Sequence, residues 1–464
     1  MKVPKFLRPV NLFVNLFVNP RGARSGHENT NVQLQPDRQG GGLMLTIGRL
    51  GNGATRYYAE SLRNEDGYGG PAEEAGRWRG RGAARLGLYG EVAAEDLTAV
   101  LDGRHPRTDE TLLLKRRCDR RPGLDLTLSA PKGVSLLGLL TTADVRAEVG
   151  AAHRSAVEQA IDDLEDRAAW VRRGCGSEQH FPADGLVEAV FVHTTSRAQD
   201  PQLHAHVLVA NVAYGPDGRW SSPHGSAFYA YGTTTGYLYQ AALRAELTER
   251  LGVEWRPVVH GLSEPAAFSR AQLRAFSTRT EQVKEAMAKA GGHSRRSNHM
   301  AQLITRAPKG HGPERSTIVA AWQLRAEMAG IDLPAITRQF ARHPRPKLDH
   351  QKLRAELTGP GGLRPEGWFD TGAVLRAVAE RARAGASVRD VDRAALAVVA
   401  DRNVVRIGAG RWGVERFETR RQRSRVVELA ERADAESART RARAFGRSDV
   451  AREREDDLAM DLGR

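Results

Sequence analysis

Apolar and polar side chains alternate in two neighbouring stretches near the middle of the chain. These are VEAVFVHTT at 187–195 and LHAHVLVANVAY at 203–214, joined by the polar loop SRAQDPQ. Alternation with a period of two predicts β-strands, and we expect the two strands to pair antiparallel across the loop. The stretches MLTIGRL at 44–50 and GLDLTLSA at 123–130 also have the character of strands.

Helical spacing of apolar residues surrounds these strands. It covers 141–172, 232–252, 264–291 and 315–329, and a recurrence every three or four positions predicts one buried face of a helix. Together the two patterns predict an α+β fold with a central antiparallel sheet and helices packed behind it.

The pattern changes near both ends of the chain. Residues 1–43 carry a tandem NLFV repeat and a polar, Gly-rich stretch without a periodic core, which is typical of low-complexity sequence. We interpret them as an extension, with Met44 as an alternative start. The main domain is expected at 44–335, and 416–464 as a charged helical tail.

A smaller unit is predicted at 345–415. Helical spacing at 370–384 and 387–400 is followed by NVVRI and GRWGVE, which favour a hairpin. Two helices followed by a hairpin indicate a winged-helix-like module.

Charge and cysteine content narrow the class of protein. The chain has 464 residues, 70 basic against 56 acidic, and a net charge of +14, which favours an anionic partner such as nucleic acid. A general coding bias towards Arg, Ala and Gly is the alternative reading. Two cysteines without a CxxC pair argue against a disulfide scaffold or a cysteine-type zinc site, and they fit a reducing, cytoplasmic location. No apolar run approaches the roughly 18 residues that a membrane span needs.

Three histidines are the first candidate site. His204 and His206 are two residues apart on a predicted strand and therefore point to the same face. His193 ends the preceding strand, so antiparallel pairing brings it opposite them. Three imidazoles with an open side are typical of a metal site with room for substrate. The alternatives are half-buried imidazoles without a ligand, or a metal-dependent hydrolase or hydratase that activates water.

Tyrosines form the second candidate group. Tyr57 and Tyr58 are adjacent on a predicted helix, and Tyr68 follows in a Gly-rich loop. Aromatic packing explains one of the pair, but adjacent helical residues are about 100° apart, so at most one points squarely into the core.

These motifs, taken in order, resemble the TrwC/TraI-like (MobF) conjugative relaxases of the HUH endonuclease superfamily. The resemblance covers roughly 44–330 and rests on YYAES, GLDLTLSAPKGVSLL and the H-x10-H-x-H pattern around DPQLHAH, with FSTRTEQV as a weaker match. It implies the HUH relaxase palm as the fold.

The resemblance also implies an activity. Such enzymes nick one strand of plasmid DNA at a transfer origin through a 5′-phosphotyrosine, and later rejoin it. Carried over by position, Tyr57 or Tyr58 is the nucleophile, with Asp125 beside it. A free tyrosine has a pKa near about 10 and needs such a proton acceptor.

The metal and the DNA contacts follow from the same resemblance. His193, His204 and His206 would hold a divalent ion, which the family takes as magnesium or manganese, whereas imidazoles intrinsically favour zinc, nickel or manganese. Arg197, four residues after His193, is a candidate phosphate contact whose alternative is a solvated loop arginine. The implied partners are single-stranded DNA beside a hairpin, a coupling protein and type IV secretion machinery.

Two features depart from the family pattern. Relatives commonly have a second tyrosine pair in the mobile region, where this chain has Tyr68 alone, so a second cleavage would depend on that residue. The chain also has no G-x-x-x-x-G-K-[ST] motif, so we expect no ATP hydrolysis. Either a separate helicase supplies the motor or the gene is truncated. A rolling-circle replication initiator is the closest alternative function.

Overall fold

The fold is built on one antiparallel sheet with helices on both faces. The computed structural model describes residues 44–51, 53, 58, 75–113, 120–174, 179–196, 198–278, 281–282, 285–286, 315–359, 362–363 and 368–420. All of them belong to a single unit of the fold. Residues 1–43 and 421–464, which include most of the expected tail, lie outside the described residues.

The strands among the described residues fall into three sheets. They are β1 (Leu45–Arg49), β2 (Arg77–Arg79), β3 (Gly123–Ser129), β4 (Trp170–Arg173), β5 (Gln179–Pro182), β6 (Gly185–Thr195), β7 (Pro201–Tyr214), β8 (Trp220–Ser221), β9 (Phe369–Asp370), β10 (Val404–Ala409) and β11 (Glu415–Thr419). The main sheet has the order β1-β3-β7-β6-β2, with β8 on β7, and all of its pairs are antiparallel. The predicted central antiparallel sheet is therefore confirmed.

The helices with bounds in the described part of the chain are α1 (Arg81–Arg85), α2 (Ala94–Leu101), α3 (Lys132–Leu140), α4 (Ala143–Ala168), α5 (Gly225–Leu251), α6 (Arg270–Ala275), α7 (Arg315–Met328), α8 (Leu333–Thr337), α9 (His350–Thr358), α10 (Thr371–Arg381) and α11 (Val388–Val399). No helix among the described parts of the chain is long and apolar enough to cross a membrane.

The long helices α4 and α5 cover one face of the sheet. Fully buried alanines line α4 at Ala152, Ala156 and Ala160, one helical turn apart, so the two helices approach closely. In α5 the buried residues run without a break from Leu238 to Leu247. A helix that is buried on every side lies in the centre of a fold, and here the C-terminal module covers the side that the sheet does not.

The opposite face of the sheet is covered only in part. A second apolar cluster joins Trp78, Leu97 and Leu101 to the strand residues Phe191 and Leu208. This cluster does not include the end of β6 or the start of β7, where the side chains on this face are polar. The candidate site occupies that uncovered area.

Two predicted helices start at other residues than expected. Helix α5 begins at Gly225 rather than near 232, although its first turns are rich in Gly and Thr, because packing overrides weak local propensity. The predicted helix at 264–291 was wrong at its start, since Trp255 and Pro265 form a β-bridge. Helix α6 begins only after Ser269, whose hydroxyl accepts a hydrogen bond from the Gln272 amide in a capping box.

The C-terminal module contains α9, α10, α11 and the three-stranded sheet β10-β11-β9, as expected for a winged-helix-like unit. Its second hairpin strand was misplaced, because Arg411–Gly413 form a 3₁₀ turn and β11 begins at Glu415. Trp412 in that turn has a φ of 64°.

The module packs tightly on α5. The buried Arg244 guanidinium donates to the carbonyl oxygens of Gly261 and Ala379, each at 3.0 Å. Gly385 has a φ of +89°, and a Cβ there would lie 2.1 Å from the Ala245 amide nitrogen, so glycine allows this close approach. The division into domains at 44–335 and 345–415 stays a prediction.

Candidate metal centre

Three histidines meet on the uncovered face of the sheet. His193 lies in β6 directly opposite His204 of β7, and His206 follows two residues later on the same face. One side-chain ligand atom from each of the three lies within 4.8 Å of the others. The ring centroids are 5.0 to 5.4 Å apart. The three residues predicted to form a metal site therefore do converge.

Hydrogen bonds orient two of the rings. His204 Nδ1 lies 2.9 Å from the backbone oxygen of Gln202, and His206 Nδ1 lies 2.8 Å from Asp125 Oδ1. Both oxygens are acceptors, so Nδ1 carries the proton in each ring and Nε2 keeps the lone pair. A histidine whose second nitrogen is held by a carbonyl or carboxylate is the usual arrangement of a metal ligand.

Burial favours the neutral form of His193 and His204. Loss of solvent, followed by the neighbouring histidines, lowers the pKa of His193 to about 3 and that of His204 to about 4. Neutral imidazoles are the form that binds a metal. With three nitrogen donors within reach of one point, the donor set fits a divalent ion with open positions.

Asp125 links the histidines to a tyrosine. It lies on β3, whose Thr127 is paired with His206 of β7. The Tyr58 hydroxyl donates to Asp125 Oδ2 at 3.4 Å, and Asp125 Oδ1 accepts from His206. The carboxylate therefore contacts both predicted functional groups, and each of its oxygens faces one of them.

Tyr58 is anchored by its ring. It is 8% exposed and packs on Phe191 with a centroid distance of 5.6 Å. Phe191 lies two residues before His193 and opposite His206 on the same face of the sheet. This packing directs the hydroxyl towards the site.

Three predicted residues, Tyr57, Tyr68 and Arg197, lie outside the described residues. The sequence reading also missed two supporting side chains. Thr127 Oγ1 lies 3.2 Å from His206 Nδ1. Its position two residues after Asp125 on the same strand could have identified it, because such residues share a face. The side-chain amide of Gln202 donates to Ala130 O at 2.9 Å, and no local pattern indicates that contact.

Comparisons with known proteins agree with this geometry. The family profile for the TrwC relaxase matches residues 51–329. Two curated relatives are the multifunctional conjugation protein TraI of Escherichia coli, 33% identical over 304 residues, and that of Escherichia coli strain K12, 34% identical over 299 residues. The alignments cover 63% and 62% of this chain, but the chain spans only 16% of the length of either relative.

Solved structures give the same result. The conjugative relaxase TrwC in complex with oriT DNA is similar in both its metal-free and its metal-bound form, each with a TM-score of 0.56 and 32% identity. TrwC complexed with a 27-mer DNA comprising the recognition hairpin and the cleavage site gives a TM-score of 0.55 and 31% identity. Each alignment covers 62% of this chain and 100% of the other.

Proposed function

The chain belongs to the TrwC relaxase family, and from that premise we propose that it nicks one DNA strand at a transfer origin and later rejoins it. The observation that carries the proposal is the line of contacts from Tyr58 through Asp125 to His206, beside two more histidines. A hydrolase that activates water has no use for a tyrosine hydroxyl at this position.

In the proposed step, a tyrosine hydroxyl of the Tyr57–Tyr58 pair attacks the scissile phosphorus. A new bond joins the tyrosine oxygen to phosphorus, the bond from phosphorus to the 3′ oxygen breaks, and that oxygen leaves as a free hydroxyl after gaining a proton. The 5′-phosphotyrosine keeps the energy of the phosphodiester, so rejoining is the same exchange in reverse.

The contacts of the described residues assign their roles in this step. Asp125 Oδ2 accepts the tyrosine proton, and Tyr58 is the described tyrosine for which that acceptor is within reach. Asp125 Oδ1 and Gln202 O fix the tautomers of His206 and His204, so that three imidazoles hold the ion. A bound divalent ion withdraws charge from the phosphate oxygens, which stabilises the transition state.

We propose magnesium or manganese as the physiological ion. Neutral ligands leave both positive charges of the ion available to the anionic substrate. Zinc and nickel suit imidazoles intrinsically, and a direct competition between these ions in the nicking reaction distinguishes them.

The substrate and partners are proposals as well. The net charge of +14 supports a polyanionic partner, and the neighbouring TrwC structures contain oriT DNA. We propose single-stranded DNA next to a hairpin as the substrate, with Arg197 as a phosphate contact and Tyr68 as the nucleophile of a second cleavage. A coupling protein, type IV secretion machinery and a separate helicase complete the proposal, and plasmid DNA as the substrate supports a cytoplasmic reaction.

The test is a covalent-adduct assay with the full chain. Labelled single strands that span the DNA beside its own gene are incubated with Mn²⁺ and separated on a denaturing gel. We expect a labelled band at the mass of the protein that requires metal, persists in Tyr89→Phe, an exposed control tyrosine, and disappears in the Tyr57→Phe/Tyr58→Phe double variant.

Other outcomes identify the rivals. If DNA is cleaved without a covalent adduct, and the cleavage persists in the double variant, the protein is a hydrolase. DNA binding with every strand left intact would show a binding protein without catalysis. An adduct combined with plasmid replication, rather than conjugative mobilisation, from the cloned nick site would show a replication initiator.

A further inference from the structure

The connection between the two histidine strands contains an irregularity. Thr195 of β6 is paired with Pro201 of β7, and His193 is paired with His204. Two steps along β6 therefore match three steps along β7, which places a β-bulge directly beside the histidines. The bulge determines which β7 residues lie opposite His193.

The register at this point decides whether the site exists. Successive side chains of a strand point to opposite faces, so a slip of one residue would turn His204 and His206 towards the buried helices. Contacts must therefore hold the loop residues next to β7, Gln199 and Asp200, in one arrangement.

An ion pair between a buried carboxylate and a partly exposed arginine holds one end of the loop. Asp200 is 1% exposed, and its Oδ1 accepts hydrogen bonds from Arg325 Nη1 and Thr278 Oγ1, both at 2.9 Å. Arg325 lies on α7, more than a hundred residues further along the chain. Breaking a buried pair by removing one partner is costly because the remaining charge stays desolvated.

A second contact from α7 holds the neighbouring residue. Trp322 is 1% exposed, and its indole N–H donates to Gln199 O at 2.7 Å. Gln199 has a φ of 57°. This is a left-handed backbone conformation that residues other than glycine rarely adopt without support. The indole thus supports a strained turn of the loop.

Helix α3 holds β7 just after the bulge begins. Lys132 Nζ donates to Pro201 O at 2.7 Å, and the Leu203 amide donates to Ser135 Oγ at 3.0 Å. The Glu264 carboxylate accepts from two amides of the first turn of α3, at 3.0 and 2.8 Å, which fixes the end of that helix. Helix α3 therefore holds the first residues of β7, and α7 holds the loop residues just before them.

We propose that Trp322 and Arg325 are positioning residues, which act through Gln199 and Asp200 to keep His193 and His204 at the spacing that binds the metal. The inference rests on the proposed metal site. It assigns to α7, which lies outside the strands of that site, the task of fixing its geometry before any metal or DNA arrives.

The test is Mn²⁺ binding by calorimetry with the full chain. Arg325→Met should weaken Mn²⁺ binding about tenfold or more, as is usual when a group that supports a metal ligand is lost. Arg325→Lys restores a cation for Asp200 and should recover most of the affinity. Trp322→Phe keeps an aromatic ring but removes the five-membered ring together with its N–H donor, and it should weaken binding several-fold.

The matched control is Tyr231→Phe. It also loses one donor to a carbonyl, since the Tyr231 hydroxyl donates to Trp412 O at 3.2 Å, but this bond lies on the face of α5 towards the C-terminal module. We expect a small loss of thermal stability and no change in Mn²⁺ affinity. If Arg325→Met does not fold, Trp322→Phe and Arg325→Lys carry the comparison.

Amide hydrogen exchange of the metal-free protein is the second readout. The variants at 322 and 325 should exchange faster across 191–206 and remain unchanged around Gly123 and Ala210, the far end of the β3–β7 pair. Variants that fold, bind Mn²⁺ like the wild type and show wild-type exchange would overturn the inference. A wild type that does not bind Mn²⁺ would instead overturn the proposed metal site, and exchange alone would then decide whether α7 fixes the loop.

Discussion

The two faces of β7 show how one strand serves two purposes. Towards α4 and α5 it presents Ala205, Val207 and Val209, each at most 1% exposed. Towards the other face it presents His204 and His206. The packing face is uniform and apolar, whereas the site face carries two imidazoles, and burial disfavours the charged form of His204. At this end of β7, apolar packing on one side of the strand supports the side chains that carry the chemistry on the other.

The sharpest test of this division compares one residue from each face. We expect His204→Ala to reduce the nicking rate by about a thousandfold, because loss of an ion that contributes several kcal/mol to the transition state has that effect. Its melting temperature should change little, since the ring lies at the edge of the core. The measurement is adduct formation alongside thermal unfolding.

Val207→Ala is the matched variant on the opposite face. It should lower the free energy of unfolding by about 2 kcal/mol through lost apolar burial and a cavity, and nick DNA at the wild-type rate at low temperature. If His204→Ala destabilised the protein as much as Val207→Ala, or if Val207→Ala abolished nicking in folded protein, the two faces would not be separable.

A smaller effect is expected from Asp125→Asn, which keeps the shape of the side chain. The amide no longer accepts the tyrosine proton, and nicking should slow by about a hundredfold. The variant also presents a weaker acceptor to His206 Nδ1, so Mn²⁺ affinity should fall as well. An unchanged single-turnover nicking rate, measured at saturating metal, would remove Asp125 from the proton transfer.

The smallest effect concerns the pH dependence of stability, through a histidine of the helix α4 that covers the packing face. His153 is completely buried beside the Tyr239 hydroxyl, at 2.9 Å, and burial lowers its pKa to about 3. The unfolded chain takes up a proton near about pH 6.5 while the folded protein does not, so this stabilising contribution is complete above about pH 6.5 and is lost as the pH falls towards 3.

The matching measurement is chemical unfolding at pH 7.5 and 5.5. We expect the wild type to lose about 1 kcal/mol more stability over this interval than His153→Gln, because glutamine at position 153 does not titrate. Equal losses in the two proteins would show that His153 does not contribute to the acid sensitivity of the fold.

Much of the site was predictable because it follows local rules. His204 and His206 share a face through the period of a strand, and His193 lies opposite them because a short loop joins two antiparallel strands. Thr127 obeys the same rule relative to Asp125, although it was not singled out. Asp125 itself entered through the family motif, since no periodicity distinguishes it from other strand aspartates.

What could not be predicted depends on contacts between distant segments. Trp322 and Gln199 are 123 residues apart, and the sequence of α7 reads as an ordinary amphipathic helix. The contact of Arg244 with Ala379 likewise has no local signature. The displaced start of α5 has a related cause, because the sheet and the C-terminal module bury a Gly- and Thr-rich segment that has little helical preference of its own.

The central claim is that a tyrosine of the 57–58 pair becomes covalently joined to DNA. Its most direct test is mass spectrometry of the trypsin-digested adduct. Cleavage after Arg56 and Arg63 releases the peptide YYAESLR, which contains both tyrosines, whereas Tyr68 lies in the separate peptide 64–77. We predict a nucleotide mass on YYAESLR, with fragmentation identifying the tyrosine. A nucleotide found only on another peptide, or cleaved DNA without any modified peptide, would contradict the account.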